Sequence, residues 1–241
     1  MASQKRGWQK SCTQGTFEEF CSAACATPIR CWIFPGTATH VSLSVTQLKS
    51  PNFHRVSADH YSNAYTSLLR MRDLGYRRIG CAMLAEIHER LGDRIGSAYD
   101  AMLRRFPDME PIPFYMPEDY DRGFTGEKLR AWIRRHRVQA LLTPHNDNLQ
   151  QLQKTIGLKI PEEIGLLNLS CEHLDDEKTG VFENSEIIGQ TMVNLVVAML
   201  HRDEHGIPET HTRTLIEGAW VEGRTLRLLP VPGKKSSSSR K

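Results

Sequence analysis

Two groups of neighbouring side chains combine a histidine with a carboxylate, the pairing that general acid–base catalysis uses most often. His145 lies two residues before Asp147, and His173 follows Glu172 and precedes Asp175 by two residues. A carboxylate that orients the imidazole could turn either histidine into a general base. However, the sequence contains no Gly-x-Ser-x-Gly turn, no phosphate-binding loop and no Gly-x-Gly-x-x-Gly pattern. Without a nucleophile, metal set or cofactor fingerprint, we expect neither an enzyme nor a cofactor.

The cysteines do not have the spacing of a metal site. Four of the six fall in the first 31 residues, and their gaps do not repeat the Cys-x-x-Cys pattern of zinc ligands. Cys81 and Cys171 lie among apolar residues, which favours small core side chains over nucleophiles. We therefore predict no metal.

After Pro51 the chain alternates helix-like and strand-like runs, as in a parallel sheet with crossover helices. Apolar residues three and four positions apart predict amphipathic helices, and short apolar runs predict strands. The expected helices cover 59–74, 95–106, 125–137, 148–156 and 185–200, and the expected strands cover 79–84, 112–116, 138–142, 164–169 and 212–218. The prediction is an α/β fold, a parallel sheet with helices on both faces.

An ordered set of short motifs runs through this pattern. Leu-Gly-Tyr-Arg-Arg-Ile-Gly begins at Leu74, Gly-Leu-Lys-Ile-Pro-Glu-Glu-Ile-Gly begins at Gly157, and Gly-x-Trp-x-x-Gly-x-Thr begins at Gly218. In this order the motifs resemble the sensor domain of lactose-repressor-like (LacI/GalR) transcriptional regulators. The resemblance implies a periplasmic-binding-protein-like type I fold with a largely complete C-terminal lobe and a partial N-terminal lobe.

The resemblance also implies a division into three segments. Residues 1–50 show no sustained helical or strand period, and we predict a divergent or disordered segment there. Residues 51–229 form the predicted LacI-like sensor domain, and 230–241 form a disordered basic tail. A helix-turn-helix DNA reader and the first units of the N-terminal lobe cannot be found before Pro51. We interpret the chain as truncated at the N-terminus, with a divergent extension as the alternative.

Ligands of open α/β sheets bind in the loops that follow the strands, and the resemblance assigns residues in four such loops. Arg94 matches the family's arginine in an Arg-x-x-Gly pattern, although Ser97 replaces the glycine. A guanidinium can donate two hydrogen bonds to adjacent hydroxyls or to a carboxylate. The alternative is a surface ion pair with Asp93 or Glu89. Tyr120 matches an aromatic residue that stacks on the ligand ring in family members, unless it is simply packed.

The other two loops carry Asn146, Asp147 and Ser170. Asn-Asp is a frequent family pair at the first position, where Asn146 could bond hydroxyls as donor and acceptor. Asp147 is either a ligand contact or the cap of the following helix, which is the interpretation we favour. Around Ser170 the family usually carries an aspartate that grips the ligand, but residues 169–172 contain none. The ligand therefore cannot be identified from the sequence.

The charge of the chain is concentrated at its end. The last eight residues supply four of the 31 basic groups and no acidic group, which leaves 27 basic against 28 acidic residues. A near-neutral body does not have the basic footprint of a DNA-binding domain. No apolar run of about 18 residues and no secretory signal is present. We expect a cytoplasmic protein without membrane contact.

These observations predict the ligand-sensing domain of a LacI-like transcriptional regulator. It would bind a small-molecule effector, expected to be a sugar, in an interlobe cleft, and act as a homodimer. DNA would be bound only through a helix-turn-helix that is not present in this chain. The alternatives are a free-standing periplasmic-type sugar-binding protein, against which the missing export signal counts, and a non-functional truncated regulator.

Overall fold

The computed structural model describes residues 29–33 and 40–44 as backbone strands and residues 53–117, 126–144, 148–204 and 208–230 with their side chains. Several predictions fall outside these ranges: Tyr120, His145, Asn146, Asp147, the helix start at Thr125, most of 1–50, and the tail from residue 231. They stay predictions.

The chain forms two compact units. The larger unit consists of His60–Glu183 and Gly218–Lys241, and the smaller unit consists of Met1–Asp59 and Asn184–Glu217. Each unit is built from two separate stretches, so the chain passes between them three times.

The described residues form nine strands and six helices. In chain order these are β1 (Ile29–Ile33), β2 (His40–Ser44), β3 (Arg55–Ala58), α1 (His60–Asp73), β4 (Ile79–Cys81), α2 (Ala85–Arg90), α3 (Arg94–Arg105), α4 (Gly126–His136), β5 (Ala140–Thr143), α5 (Leu149–Ile156), β6 (Gly165–Cys171), β7 (Gly180–Phe182), α6 (Ser185–His201), β8 (Arg213–Ile216) and β9 (Ala219–Val221). No helix in this part of the chain is both long and apolar enough to cross a membrane.

A five-stranded sheet in the order β4-β5-β6-β7-β9 is the centre of the larger unit. Strands β4 to β7 are parallel, and β9 pairs antiparallel with β7, where Phe182 lies opposite Ala219. Alternate residues of β5 enter different cores: Ala140 packs with residues of α1 and α3, and Leu141 packs with residues of α4 and α5. The prediction of an α/β fold with a parallel sheet and helices on both faces is therefore confirmed.

The two ends of α5 have separate causes. Gly157 ends the helix in the left-handed conformation, with φ of 63°. At the start, the side-chain oxygen of Asn148 accepts hydrogen bonds from the backbone N–H groups of Gln150 and Gln151, at 3.0 and 3.2 Å. Our interpretation of Asp147 as the cap was wrong, because the next residue supplies the acceptor that the free N–H groups need.

The strand predicted at 112–116 is reduced to a single bridge between Tyr115 and Ala82. Pro111, Pro113 and Pro117 interrupt this stretch. Proline has no N–H group to donate to a neighbouring strand, so the ladder cannot extend. The prediction of a full strand was therefore wrong.

In the smaller unit, β3 and β8 form a two-stranded parallel sheet on which α6 packs. Ile188 and Met192 of α6 share a core with Val56 and Ala58 of β3. Strands β1 and β2 form a separate antiparallel pair, in a segment where the sequence showed no strand period. The other side of α6 leaves four apolar residues exposed, Ile187, Val193, Val197 and Leu200.

Thr225, the last residue of the C-terminal motif, ties the chain after β9 to the sheet. It is fully buried. Its hydroxyl accepts a hydrogen bond from the Thr179 N–H at 2.8 Å and donates one to the Leu166 carbonyl at 2.7 Å. A Cβ at Gly223 would overlap the backbone of Lys178. The threonine of the motif therefore holds this segment to the sheet by hydrogen bonds, and the glycine leaves room for the backbone of Lys178.

Replacement of Thr225 by valine should destabilise the protein by about 2–4 kcal/mol, because it leaves a buried N–H and a buried carbonyl without this partner. Urea denaturation followed by circular dichroism measures the loss. Thr225→Ser, which keeps the hydroxyl and loses the methyl group, is the control and should retain most of the stability. Equal losses in both variants would contradict the expectation, because the hydroxyl would then contribute no more than the methyl group that Thr225→Ser removes.

Candidate ligand-binding site

Polar residues of the central sheet collect at the carboxyl ends of its parallel strands. Thr143 ends β5, Asn168 is the middle residue of β6, Ser170 is the last but one of β6, and Glu183 directly follows β7. Ligand sites of open α/β sheets form at this edge. We call it the carboxyl edge.

Helix α3 brings Arg94 toward the carboxyl edge. The Tyr99 hydroxyl, in the middle of α3, donates to the carbonyl of Ile79 at the start of β4, at 2.9 Å. Because the helix runs back along the sheet, its first residue, Arg94, lies nearer the opposite end of β4. This half-buried side chain begins the helix at the edge where the sequence predicted a ligand contact.

The guanidinium of Arg94 is not used by the neighbouring acids. Asp93 instead places its Oδ1 2.9 Å from Nε2 of His88. Within the described ranges, no hydrogen bond or ion pair engages the Arg94 side chain, with Asp93 or with Glu89. The ion-pair alternative considered from the sequence is thus not seen among the described residues.

Ser170 lies one residue before the end of β6. Its backbone N–H donates to the side-chain oxygen of Asn168 at 2.6 Å, and Asn168 itself is buried. The Ser170 side chain is half-buried, and its hydroxyl makes none of the hydrogen bonds found among the described residues. The structure therefore brings Arg94 and Ser170 to the same edge of the sheet. Tyr120, Asn146 and Asp147 lie outside the described residues.

The loop after β6 contains two aspartates, Asp175 and Asp176, and the second of them stabilises the loop itself. Asp176 accepts a hydrogen bond from the Lys178 N–H at 3.0 Å and another from the Glu172 N–H at 3.3 Å. Its carboxylate also lies 3.8 Å from Nζ of Lys178, and both side chains are at most 10% exposed. A carboxylate with these partners is not free to bind a ligand.

The histidine–carboxylate pairs of the sequence do not appear as catalytic pairs in the described part of the chain. His173 is exposed, and its ring makes none of the described hydrogen bonds to Glu172 or Asp175. His145 lies outside the described residues. The geometry that a general base would need is not assembled around His173.

The two described cysteines are core residues, as the sequence predicted. Cys81 and Cys171 are free thiols and buried. Burial raises the pKa of Cys171 to about 12 and also raises the pKa of Cys81, so both thiols remain protonated at neutral pH. The described residues contain no group of three or more His, Cys, Asp or Glu side chains that could hold a metal ion.

Sequence reasoning missed a set of ionisable residues at the carboxyl edge. The carboxylate of Glu183 lies 3.4 Å from Nδ1 of His60, the first residue of α1. Its side chain is 21% exposed, and burial raises its pKa to about 7, while the positive charge of Arg90 acts in the opposite direction. His60 and Glu183 are far apart in the chain, so no local sequence pattern predicts their contact. Strand β7, which precedes Glu183, has only three residues and is too short to show a strand period.

Glu183 should make the stability of the protein depend on pH. A carboxyl group whose pKa is raised in the folded state holds its proton longer there, so stability is lost as pH rises from the ordinary pKa of 4.5 to about 7, and the loss levels off above that pH. We expect Glu183→Gln to raise the melting temperature at pH 8 and to change it less at pH 5. Each pKa unit corresponds to about 1.4 kcal/mol, so calorimetry at several pH values resolves the difference. Glu162→Gln, at an exposed carboxyl, is the control, and parallel pH profiles of Glu183→Gln and wild type would contradict the expectation.

The fold and the edge site define a class: α/β proteins of two units, each built from discontinuous stretches, with polar side chains at the carboxyl ends of a parallel sheet. No protein-family model matches the sequence, and no curated protein matches it. Solved structures do match, and those reported below are transcription regulators.

A transcription regulator like protein from Staphylococcus haemolyticus has a TM-score of 0.59 and 17% identity, over 76% of this chain and 65% of that one. A LacI family transcriptional regulator from Enterococcus faecium, solved with bound ribose, has a TM-score of 0.57 and 16% identity, over 78% and 70%. The transcriptional regulator CelR, in complex with cellobiose, has a TM-score of 0.58 and 18% identity, over 75% and 57%.

The chain therefore has the fold of the LacI-type sensor domains to which its motifs are similar. It spans about two thirds of the length of the first of these structures, 65%. At identities of 14–18%, these and the similar match to CcpA of Lactococcus lactis establish the fold. The matched proteins are named as transcription regulators.

Proposed function

We propose that this chain is the effector-sensing domain of a LacI-type transcriptional regulator and that it binds a small molecule of the sugar class. The observation that carries the proposal is Arg94, a half-buried arginine at the carboxyl edge that has no partner among the described residues. Two regulators of the same fold were solved with ribose or cellobiose bound. A free guanidinium suits the adjacent hydroxyls of such ligands, because its planar fork donates two hydrogen bonds.

The proposed ligand contacts come from four loops at this edge. Arg94 and Ser170 offer side-chain donors that the described structure leaves unused. Tyr120, Asn146 and Asp147 complete the set in our proposal: the tyrosine would supply an apolar ring face, and the other two would bond hydroxyls. Residues 51–229 would form the sensor, with 1–50 as a divergent segment and 230–241 as a basic tail.

Sensing requires that the effector binds one conformation more tightly than another, because a ligand with equal affinity for two states shifts neither. In our proposal the effector binds in a cleft between two lobes and favours their closed arrangement. The chain would act as a homodimer in the cytoplasm. A helix-turn-helix segment would make the DNA contact, so that effector binding changes the geometry of paired DNA readers.

A thermal-shift screen of the purified chain against monosaccharides, sugar acids and nucleobases tests the proposal. A bound effector raises the melting temperature by mass action. Arg94→Ala should abolish the shift, whereas Arg104→Ala, an exposed arginine on the same helix, should retain it. If no ligand of these classes stabilises the folded wild-type chain, or if the shift survives in Arg94→Ala, the proposed site is wrong.

A further inference from the structure

The amino ends of the parallel strands form the other edge of the central sheet. Helices α1, α4 and α5 each end shortly before one of these strands, so their last turns lie at this edge. Gln139, directly before β5, joins two of the strand starts: its side-chain oxygen accepts hydrogen bonds from the N–H groups of Arg77 and Arg78, at 2.7 and 2.9 Å. We call it the amino edge.

Two further segments reach the amino edge. In the segment that follows α3, the N–H of Glu110 donates to the carbonyl of Arg77 at 3.0 Å. In the segment that follows β9, the N–H of Leu229 donates to the carbonyl of Leu74 at 2.7 Å. The sequence continues from this point into residues 230–241, which contain four basic residues and no acidic one.

Basic residues outnumber acidic residues at the amino edge. From the last four residues of each helix onward, the stretches 70–78, 102–111, 133–139 and 153–164 contain eleven arginines and lysines and five acidic residues. The chain without its last eight residues has 27 basic and 28 acidic groups, so 16 basic and 23 acidic groups lie outside these stretches. The near-neutral total therefore hides a separation of charge.

Acidic neighbours neutralise only one part of this edge. Asp108 lies 3.0 Å from a guanidinium nitrogen of Arg72 and 2.9 Å from one of Arg77. Glu110 accepts two hydrogen bonds from Arg78, at 2.9 and 2.6 Å. Three arginines thus share the two carboxylates that follow α3, and these carboxylates have no capacity left for the other arginines of the edge.

Four exposed arginines at the amino edge have side chains without a hydrogen-bond or ion-pair partner among the described residues. They are Arg104 at the end of α3 and Arg134, Arg135 and Arg137 at the end of α4. The helix dipole favours cations in a last turn, which gives Arg134 and Arg135 a reason within the fold. Arg137 lies beyond the last turn, and the dipole does not explain it.

The backbone of Arg137 makes its presence more informative. Its φ angle is 50°, in the left-handed region that favours glycine at the end of a helix. A requirement to end α4 would be met better by glycine than by arginine. The exposed, unpaired guanidinium at this position therefore points to a partner outside the fold.

The chemistry of the edge favours nucleic acid over a membrane. Nine of the eleven basic residues in these stretches are arginines. A guanidinium binds phosphate oxygens through two parallel hydrogen bonds, whereas attraction to an anionic membrane needs only charge, which lysine also supplies. Membrane-binding surfaces also insert apolar side chains. Among the described residues of these stretches and of 226–229, Leu228 is the only large apolar side chain that is exposed.

The extent of the charge favours a polymer over a single anion. The apolar residues of α3 and α4 pack in different cores, on opposite faces of the sheet. Their arginine-bearing ends therefore flank the amino edge on both sides. A nucleic-acid backbone presents phosphates in a continuous row, so that it can contact both groups at once.

We propose that the amino edge of the larger unit binds the phosphate backbone of nucleic acid without sequence preference. Arg134, Arg135 and Arg137 of one face and Arg104 of the other bind the phosphates, and the basic residues of 230–241 add charge. This surface lies at the edge opposite the effector site and does not depend on it. The contact is additional to that of a helix-turn-helix segment and revises the expectation, drawn from the total charge, that this chain has no DNA contact of its own.

Fluorescence anisotropy of the full chain with a labelled DNA duplex of about 20 base pairs and arbitrary sequence tests the proposal. We expect a Kd on the order of micromolar at about 50 mM salt. Binding should weaken steeply up to about 200 mM, with log K falling by about 0.9 per unit of log salt for each phosphate contact. A second duplex of unrelated sequence should bind with the same Kd.

A pair of double variants with the same net charge locates the contact. Arg134→Gln/Arg135→Gln should raise the Kd about tenfold or more and reduce the salt slope by about two. Lys128→Gln/Arg202→Gln removes two exposed basic side chains, at the start of α4 and directly after α6, and should keep the Kd within about twofold.

Arg137→Gly separates binding from folding. Glycine suits the left-handed backbone at this position, so the variant should melt at the same temperature as wild type or higher. Its affinity for DNA should nevertheless fall several-fold, and its salt slope by about one. A purely structural role of Arg137 would not produce this combination, and the variant keeps the test decisive if the double variant at the end of α4 does not fold.

Three results would overturn the proposal. The first is the absence of DNA binding at low salt, and the second is an equal loss of affinity in the two double variants. The third is tighter binding to vesicles of phosphatidylserine and phosphatidylcholine than to DNA, with the same dependence on Arg134 and Arg135, which would assign the edge to a membrane.

The basic tail needs its own control. Lys234→Gln/Lys235→Gln/Arg240→Gln/Lys241→Gln should weaken binding but leave a salt-dependent affinity that the changes at the end of α4 still reduce. If this variant loses all binding while the changes at the end of α4 have no effect, the tail alone binds DNA and the amino edge does not. The thermal-shift result for the effector is independent of all these outcomes.

Discussion

Burial of a parallel sheet on both faces is the constraint on which the larger unit depends. Each residue of β5 and β6 must fit one of two cores, so both strands are mostly apolar. Polar side chains interrupt them at Asn168, the middle residue of β6, and at Thr143 and Ser170 near the carboxyl ends. The packing requirement that stabilises the sheet therefore also limits the polar side chains of these strands to the middle of β6 and the carboxyl ends.

Some charged side chains at that edge have partners within the fold, and others have none among the described residues. Carboxylates of Asp93 and Asp176 stabilise their own loops through a histidine and through backbone N–H groups. By contrast, Nε of Arg90 and the guanidinium of Arg94 have no hydrogen-bond partner among the described residues. An arginine that is kept half-buried without a partner costs folding free energy. Ligand-binding sites often carry such a cost in folding free energy, because the hydrogen bonds formed with a bound ligand offset it.

Most elements of the larger unit could be predicted because their signals are local and repeated. The helix predicted at 59–74 is α1, and the one at 148–156 is α5, each within one residue at either end. Strand β7 and helix α2 gave no signal, because three and six residues are too few to show a period. A fine detail such as the cap of α5 depends on which of two adjacent acceptors reaches the free N–H groups, and composition does not distinguish them.

The candidate site was predictable only in part, for a different reason. Arg94 follows a strand and Ser170 lies near the end of one, so the rule that ligands bind at strand ends finds them. The pair of His60 with Glu183 joins the start of α1 to the end of β7, and Arg90 becomes notable only through its buried Nε and its effect on Glu183. Only the folded chain shows which distant residues are in contact and which atoms are buried. The spacing of residues in the sequence does not predict either property.

The antiparallel register of β7 and β9 has a consequence for how the chain is organised. Phe182 and Ala219 face each other across this ladder, and residues paired in this way lie about 5 Å apart. The stretch that carries α6 and β8 thus leaves and re-enters the sheet at adjacent points, as a domain inserted into a β-hairpin does. A tight turn of a few residues could close the same gap. The chain can therefore carry α6 and β8 between β7 and β9 without any change in the pairing of these two strands.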